Sequence, residues 1–387
     1  MIKPLKVGIL TFHFSDNYGA SLQAYALRRW FAEQGHLAQF IDYRPAHIEH
    51  GGRLIMPTSF SHLKADVKVM YLAISSFIKK HFGNQSQKEK FESFRKIYLD
   101  LPPNIDQSNW EASLASSRIF DLIVAGSDQI WSPSEHHGFD PNYFLAFARN
   151  FPCRRVSYAA SFGRDKLSPS EAEQLPDLLA NFDAVSVRET SGVTIAEEAG
   201  VVSSISVPDP TLLHRDYEQL IAGASTSPAS PYVFCYALRT SDNIRQTTEQ
   251  VASVSGIQTV LSPHNPHRRW LEIGKTVYPD PAEWLALLKN ARFVVTNSFH
   301  GTVFSLLFKR PFIVAGLTGD KAKSNSRSLN LLRSVDLEDR FIASFSRDAV
   351  NQLISRPIDW TAVDGKLSLL RATGEQFLLQ QLEAAGR

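Results

Sequence analysis

At 387 residues the chain is too long for one ordinary core, and its length predicts two domains. The 41 basic and 39 acidic side chains leave a formal charge of only +2, which excludes the strong positive field that nucleic-acid binding uses. Two distant cysteines, Cys153 and Cys235, fit neither a disulfide framework nor a metal knuckle.

The run Val7-Gly8-Ile9-Leu10 is shorter than the roughly 7–15 apolar residues of a signal peptide and reads as the first strand, 6–11. The expected location is cytoplasmic. A helix follows over 20–34, with Leu22, Ala26 and Trp30 on one face and Gly35 at its end, and then a strand over 37–41.

Residues 45–101 break this rhythm with helical stretches and read as an insertion or cap. Within them, 67–78 (VKVMYLAISSFI) is flanked by Lys64, Lys68, Lys79 and Lys80. It is well short of the ~20 residues that span a bilayer. It reads as a packing helix, with an amphipathic helix in peripheral contact with a membrane as the alternative.

Strands resume at 120–125, 155–159 and 184–187, with helices such as 168–180 between them. Such alternation predicts βαβ units and a parallel sheet. The Ser/Pro/Ala-rich stretch within 212–231 reads as a linker. A second series begins there: strands 232–236, 258–261, 292–296 and 312–314, and helices 243–255, 281–289 and 302–308. The expected division is 1–225, with the insertion, then 226–345, then C-terminal helices over 346–387. Two α/β domains of this kind predict a cleft, with ligands beyond the C-terminal strand ends.

Three loops at strand ends carry candidate chemistry. In Thr11 to Gly19, Asp16 or Asn17 caps the next helix, Gly19 permits close backbone approach, and Asn17 and Tyr18 are candidates to bond a polar ligand. In Ala125 to Pro133, Gly126 turns the chain, and Ser127, Asp128 and Gln129 suit sugar hydroxyls. Asp128 is there a candidate base, or simply a helix cap. In Asn297 to Thr302, Ser298 is an N-cap and His300 lies in the first helical turn beside Gly301. Helix starts of this kind hold anions, although a histidine there can also merely pack. Arg188, at another strand end, either grips a carboxylate or phosphate or pairs with Glu189 or a neighbouring acid. Pro208-Asp209-Pro210 reads as a rigid turn.

Asn17-Tyr-Gly-Ala-Ser-Leu-Gln-Ala-Tyr-Ala-Leu27, Gly126-Ser-Asp-Gln-Ile-Trp131, Val187-Arg188-Glu189, Pro208-Asp-Pro210 and Ser298-Phe-His-Gly301 occur here in a telling order. Together with Asn325-Ser-Arg327, Leu331-Leu332 and Arg340, they resemble the polysaccharide pyruvyl transferase family. The resemblance runs from about residue 7 to 341. It implies an α/β fold of two Rossmann-like domains facing across a cleft, similar to GT-B glycosyltransferases. It also implies transfer of the pyruvyl group of phosphoenolpyruvate to sugar hydroxyls, giving a pyruvate ketal and phosphate. Phosphoenolpyruvate is then a co-substrate, and the resemblance implies no metal and no bound cofactor.

On that reading His300, also the candidate acid, and the N–H groups around Gly301 take the phosphate, and Arg188 binds the donor. Asp128, Asn17, Tyr18, Ser127 and Gln129 face the acceptor. Many family members carry an arginine where this chain has Ser298. Arg239, Lys321, Lys323 and Arg327 are the candidate replacements. Two rivals stand beside this reading. One is a glycosyltransferase using a nucleotide sugar, with Asp280 or Glu283 on the ribose, and the other is a non-catalytic saccharide-binding homologue. The sequence does not name the acceptor. A lipid-linked saccharide would place the chain at the inner face of a membrane.

Overall fold

Parallel strands alternating with helices build this chain, and central strands such as Leu122-Ile-Val-Ala125 are buried at every residue. The computed structural model describes residues 3–45, 70, 85–101, 120–134, 138–224, 228, 230–265 and 273–387. Most of the expected insertion, including all of 67–78 except Met70, lies outside the described residues. So do the side chains of Lys321 and Lys323.

The chain forms two compact units, the first made of Met1–Asp16, Ala20–Pro210 and Gly374–Arg387. Its sheet contains β1 (Lys6–Leu10), β2 (Leu37–Phe40), β3 (Leu122–Ala125) and β4 (Arg154–Ser157), all parallel, in the order β2-β1-β3-β4. Two more parallel strands, β5 (Ser186–Val187) and β6 (Ile205–Ser206), pair with each other. Bridges from Val156 to Ala184 and from Ala160 to Val187 tie β5 to the region of β4.

Helix α1 (Tyr18–Glu33) follows β1, beginning two residues earlier than its apolar spacing suggests. A second helix, α2 (Gln85–Phe94), runs on into a π-helical turn, Arg95–Leu99. That turn is fastened to α1 and to the loop before it: Arg28 donates to the Tyr98 carbonyl and pairs with Asp100, and Arg95 pairs with Asp16 at 2.8 Å. Helix α3 (Pro169–Leu179) starts with a capping box. Ser168 accepts from the Glu171 N–H, and the Glu171 carboxylate accepts from the Ser168 N–H. Helix α4 (Thr190–Glu198) lies between β5 and β6. The core includes Trp131, which stacks on Phe144 at 4.9 Å and donates its indole N–H to the Tyr143 carbonyl.

The second unit comprises Asn17–Gly19 and Thr211–Thr373. Its six parallel strands are β7 (Tyr232–Tyr236), β8 (Thr259–Pro263), β9 (Lys275–Val277), β10 (Phe293–Thr296), β11 (Phe312–Ala315) and β12 (Phe341–Ile342). They lie in the order β12-β11-β10-β7-β8-β9. Numbered within the unit, this is the Rossmann order 3-2-1-4-5-6, whose switch point falls between β7 and β10. The α-helices longer than one turn are α5 (Asp242–Val254), α6 (Pro281–Lys289), α7 (Phe299–Leu307), α8 (Ser326–Ser334), α9 (Arg347–Ser355) and α10 (Trp360–Ala385). The sequence reading missed β9, whose three residues are too few to show a period.

The units do not divide where composition alone suggests. The chain enters the second unit at Thr211, not near 225, because the polar-looking stretch after it carries buried anchors. Leu212, Leu213 and Leu220 are buried, and Tyr217 packs edge-on against Phe304 at 5.1 Å. At the other end, α10 supplies residues to both units, so 346–387 is not a separate helical segment. From Gly374 onward it belongs to the first, where Gln381 accepts two hydrogen bonds from the Arg154 guanidinium.

Candidate functional site

In the first unit the strand order reverses between β1 and β3, and the loops after those strands are bonded to each other. The Thr11 hydroxyl donates to the Ser127 carbonyl at 2.9 Å and accepts from the Gln23 amide at 2.8 Å. His13, fully buried on the same loop, has Nδ1 3.0 Å from the Thr11 carbonyl and Nε2 2.9 Å from the Asp42 carboxylate. A carbonyl only accepts, so Nδ1 carries a hydrogen. Arg44 also donates to Asp42, at 2.6 Å. Burial pushes the Asp42 pKa up, but the bonds from His13 and Arg44 and their charges outweigh it and leave it lowered.

After β3 the chain turns through Gly126 to Ser127, Asp128 and Gln129. Ser127 is fully buried and donates its hydroxyl to Asp209 at 3.0 Å. It therefore holds the loop and does not face an acceptor. Asp128 is half-buried, with φ of 78° in the left-handed region that few side chains adopt. Its carboxylate accepts from the Gln129 N–H at 2.8 Å. Gln129 is half-buried beside Gly163.

Arg188 is already ion-paired. Its guanidinium is buried and donates to Asp209 at 2.9 Å and to Glu189 at 3.0 Å, with Asp128 3.8 Å away. Burial works against that charge, but Glu189, Asp209 and Asp128 outweigh it and hold the Arg188 pKa above its usual value. Of the two readings of Arg188, the ion-paired one is the one observed. Asp209, which the sequence reading left as part of a rigid turn, is the acid at the centre. The signal was present in a carboxylate between two prolines at a strand end, but its partners lie 21 and 82 residues away in sequence.

In the second unit the switch point lies between β7 and β10. The Thr296 hydroxyl donates to the Tyr236 carbonyl at 2.7 Å and accepts from the Ser298 N–H at 3.0 Å, joining the two strand ends. Ser298 caps α7, its hydroxyl accepting from the Gly301 N–H. Helix α7 starts at Phe299, which places His300 in its first turn, 8% exposed. Gly301 has no room for a side chain, since a β-carbon there would lie 2.3 Å from the Thr296 hydroxyl oxygen. Gly19, at the start of α1, lies against the His300 ring in the same way.

Tyr18 is not available to an acceptor. It is buried, stacks on Trp284 at 5.5 Å, and donates its hydroxyl to the Pro279 carbonyl. Asn17 is half-buried. Of the replacement cations, Arg239 is exposed in the loop after β7, and Arg327 is half-buried in the first turn of α8. The two acids proposed for a ribose, Asp280 and Glu283, bond each other's backbone N–H groups as the capping box of α6. Asn297, which the sequence reading did not single out, bonds the backbone of the β7 loop on both sides of its amide.

Residues 17–317 match the family model for polysaccharide pyruvyl transferase. The chain belongs to that family. The polysaccharide pyruvyl transferase motifs seen in the sequence thus lie at the strand ends of both units: Ser127 to Gln129 after β3, Arg188 after β5 and Ser298 to Gly301 after β10. No curated protein matches the chain in sequence. Among solved structures it is similar to UDP-N-acetylglucosamine 2-epimerase from Rickettsia bellii, with 9% identity and a TM-score of 0.49, over 99% of this chain and 97% of that one. It is similar also to UDP-GlcNAc 2-epimerase from Neisseria meningitidis bound to UDP-GlcNAc, with 10% identity and a TM-score of 0.46, over 95% and 99%. A third is Arabidopsis thaliana UGT89C1 complexed with quercetin, with 10% identity and a TM-score of 0.47, over 99% of each chain. Among the described residues no helix is long and apolar enough to cross a membrane, and no three or more His, Cys, Asp or Glu side chains are grouped so that they could hold a metal ion.

Proposed function

We propose that this pyruvyl transferase moves the pyruvyl group of phosphoenolpyruvate onto two hydroxyls of a surface or exopolysaccharide precursor, forming a pyruvate ketal and releasing phosphate. The observation that carries the reading is the start of α7, where Ser298 caps the helix and a buried His300 stands in the first turn, at the switch point of a Rossmann sheet. N–H groups at a helix start and an imidazole suit a phosphate monoester.

The chemistry balances with acid–base groups alone. C3 of phosphoenolpyruvate takes a proton, with His300 the acid, and C2 becomes electrophilic. One sugar hydroxyl adds to C2 and loses its proton, with Asp128 the base. The C2–O bond to phosphate then breaks, and a second hydroxyl closes the ketal. Of the two hydroxyl protons, one replaces the proton given to C3 and one leaves with phosphate. Asp128, Asn17 and Gln129 remain the residues proposed to face the sugar. The capping box of Asp280 and Glu283 weighs against the nucleotide-sugar alternative, because both carboxylates are engaged in starting α6.

The test is phosphate release from phosphoenolpyruvate with a panel of saccharides, free and lipid-linked, with the product methyl group followed by NMR. His300→Ala is expected to lower the rate by about 10²–10⁴-fold. Near-normal release in that variant would remove His300 from the mechanism. Thermal stabilisation by nucleotide sugars but not by phosphoenolpyruvate would overturn the reading as a whole.

A further inference from the structure

An anion site needs cations, and the start of α7, Ser298-Phe299-His300-Gly301, carries no arginine or lysine, while Arg188 is paired with carboxylates. We propose that Arg239 supplies the missing charge and that Asn297 is the positioning residue that holds it beside the start of α7. The proposal rests on the phosphoenolpyruvate reading and assigns the cation and its support within that site.

Three observations carry it. First, Asn297 bonds two successive residues of the β7 loop. Its Oδ1 accepts from the Leu238 N–H at 2.7 Å, and its Nδ2 donates to the Arg239 carbonyl at 2.7 Å. A planar amide used at both ends fixes the loop much as a paired strand would. Asn297 is buried, so water does not compete for those bonds. Second, the residue after Asn297 is Ser298, the cap of α7, and the loop it holds follows β7, the strand paired with β10. Arg239 therefore starts from the other side of the switch point from His300, its carbonyl bonded to the residue that precedes the cap of α7. Third, Arg239 is exposed and has no ion pair or side-chain hydrogen bond among the described residues. Its guanidinium is available to a phosphate or carboxylate, which it matches with two parallel N–H donors.

The same device recurs across the sheet. The Asn325 side chain accepts from the Leu317 N–H at 2.8 Å and donates to the Leu317 carbonyl at 2.9 Å, bracing the loop after β11. That loop does not carry Arg239, so Asn325 provides an internal control.

The experiment measures binding of inorganic phosphate by calorimetry, and kcat and KM for phosphoenolpyruvate, in wild type, R239A, N297A, the double variant, N325A and N325A with R239A. R239A is expected to weaken phosphate binding and raise KM by about 10- to 100-fold, the loss of a charge-assisted bond. N297A is expected to raise KM by about 10-fold with kcat within about twofold, and to add less than about twofold once Arg239 is gone. The effects of N325A and R239A are expected to multiply. If N297A does not fold, N297S replaces it, since serine cannot reach both backbone groups.

An unchanged KM in N297A, or effects of N297A and R239A that simply multiply, would overturn the clamp even with full turnover of phosphoenolpyruvate. Coupled losses of phosphate binding in R239A and N297A, with a wild type that does not turn over phosphoenolpyruvate, would instead support the clamp and overturn the reaction.

Discussion

A β-carbon added to Gly19 would stand 2.0 Å from Nδ1 and 2.5 Å from Cγ of His300. The imidazole can occupy its place in the first turn of α7 only because residue 19 has no side chain. Gly19 sits inside α1, where alanine is favoured over glycine by roughly 1 kcal/mol of helix propensity. Gly19→Ala is therefore expected to keep its helical circular dichroism while the displaced ring lowers phosphate release by about 100-fold. Wild-type turnover in that variant would show that His300 does not need its observed position.

Arg188 and Asp209 form the centre of a buried ionic cluster, with Ser127, Glu189 and Asp128 around them. Removing one side of a buried pair leaves the other uncompensated, at a cost of about 3–5 kcal/mol. Arg188→Ala and Asp209→Ala are each expected to lower the urea midpoint accordingly, and the two losses should not add. An unaltered midpoint in Arg188→Ala would contradict a structural role for this guanidinium.

Asp42 ties β2 to the His13 loop with a pKa lowered by His13 and Arg44. A carboxyl with a lowered folded-state pKa stabilises the protein above its unfolded value of about 3.9, and that stability is lost as pH falls through the folded value. Urea unfolding is expected to weaken below about pH 4, and Asp42→Asn is expected to flatten that decline while lowering stability near neutrality. An acid limb identical in the variant would place the effect on other carboxylates.

Much of the architecture was legible because parallel sheets impose simple patterns. The runs at 232–236 and 292–296 had to be buried strands, and 281–289 a helix, and all three are observed within a residue or two. Ser298 as cap and His300 in the first turn followed from local chemistry alone, since capping involves residues two or three apart. Tyr18 and Ser127 were misread for the opposite reason. A tyrosine or serine in a polar loop looks accessible until its distant partners, Trp284 and Asp209, are in place.

The sequence by itself determined the α/β class, the helix start that carries His300, and the ordered motifs of the pyruvyl transferase family. These rest on periodicity, on caps and on short spacings, which act locally. Only the tertiary structure decided which charges are already paired within the protein. Arg188 and Arg239 look alike in sequence, but three carboxylates surround the first, and the backbone of the second is held by Asn297 from 58 residues away. That difference is set by the crossing of the chain between strands, because Coulomb energy depends on distance in space and not along the sequence.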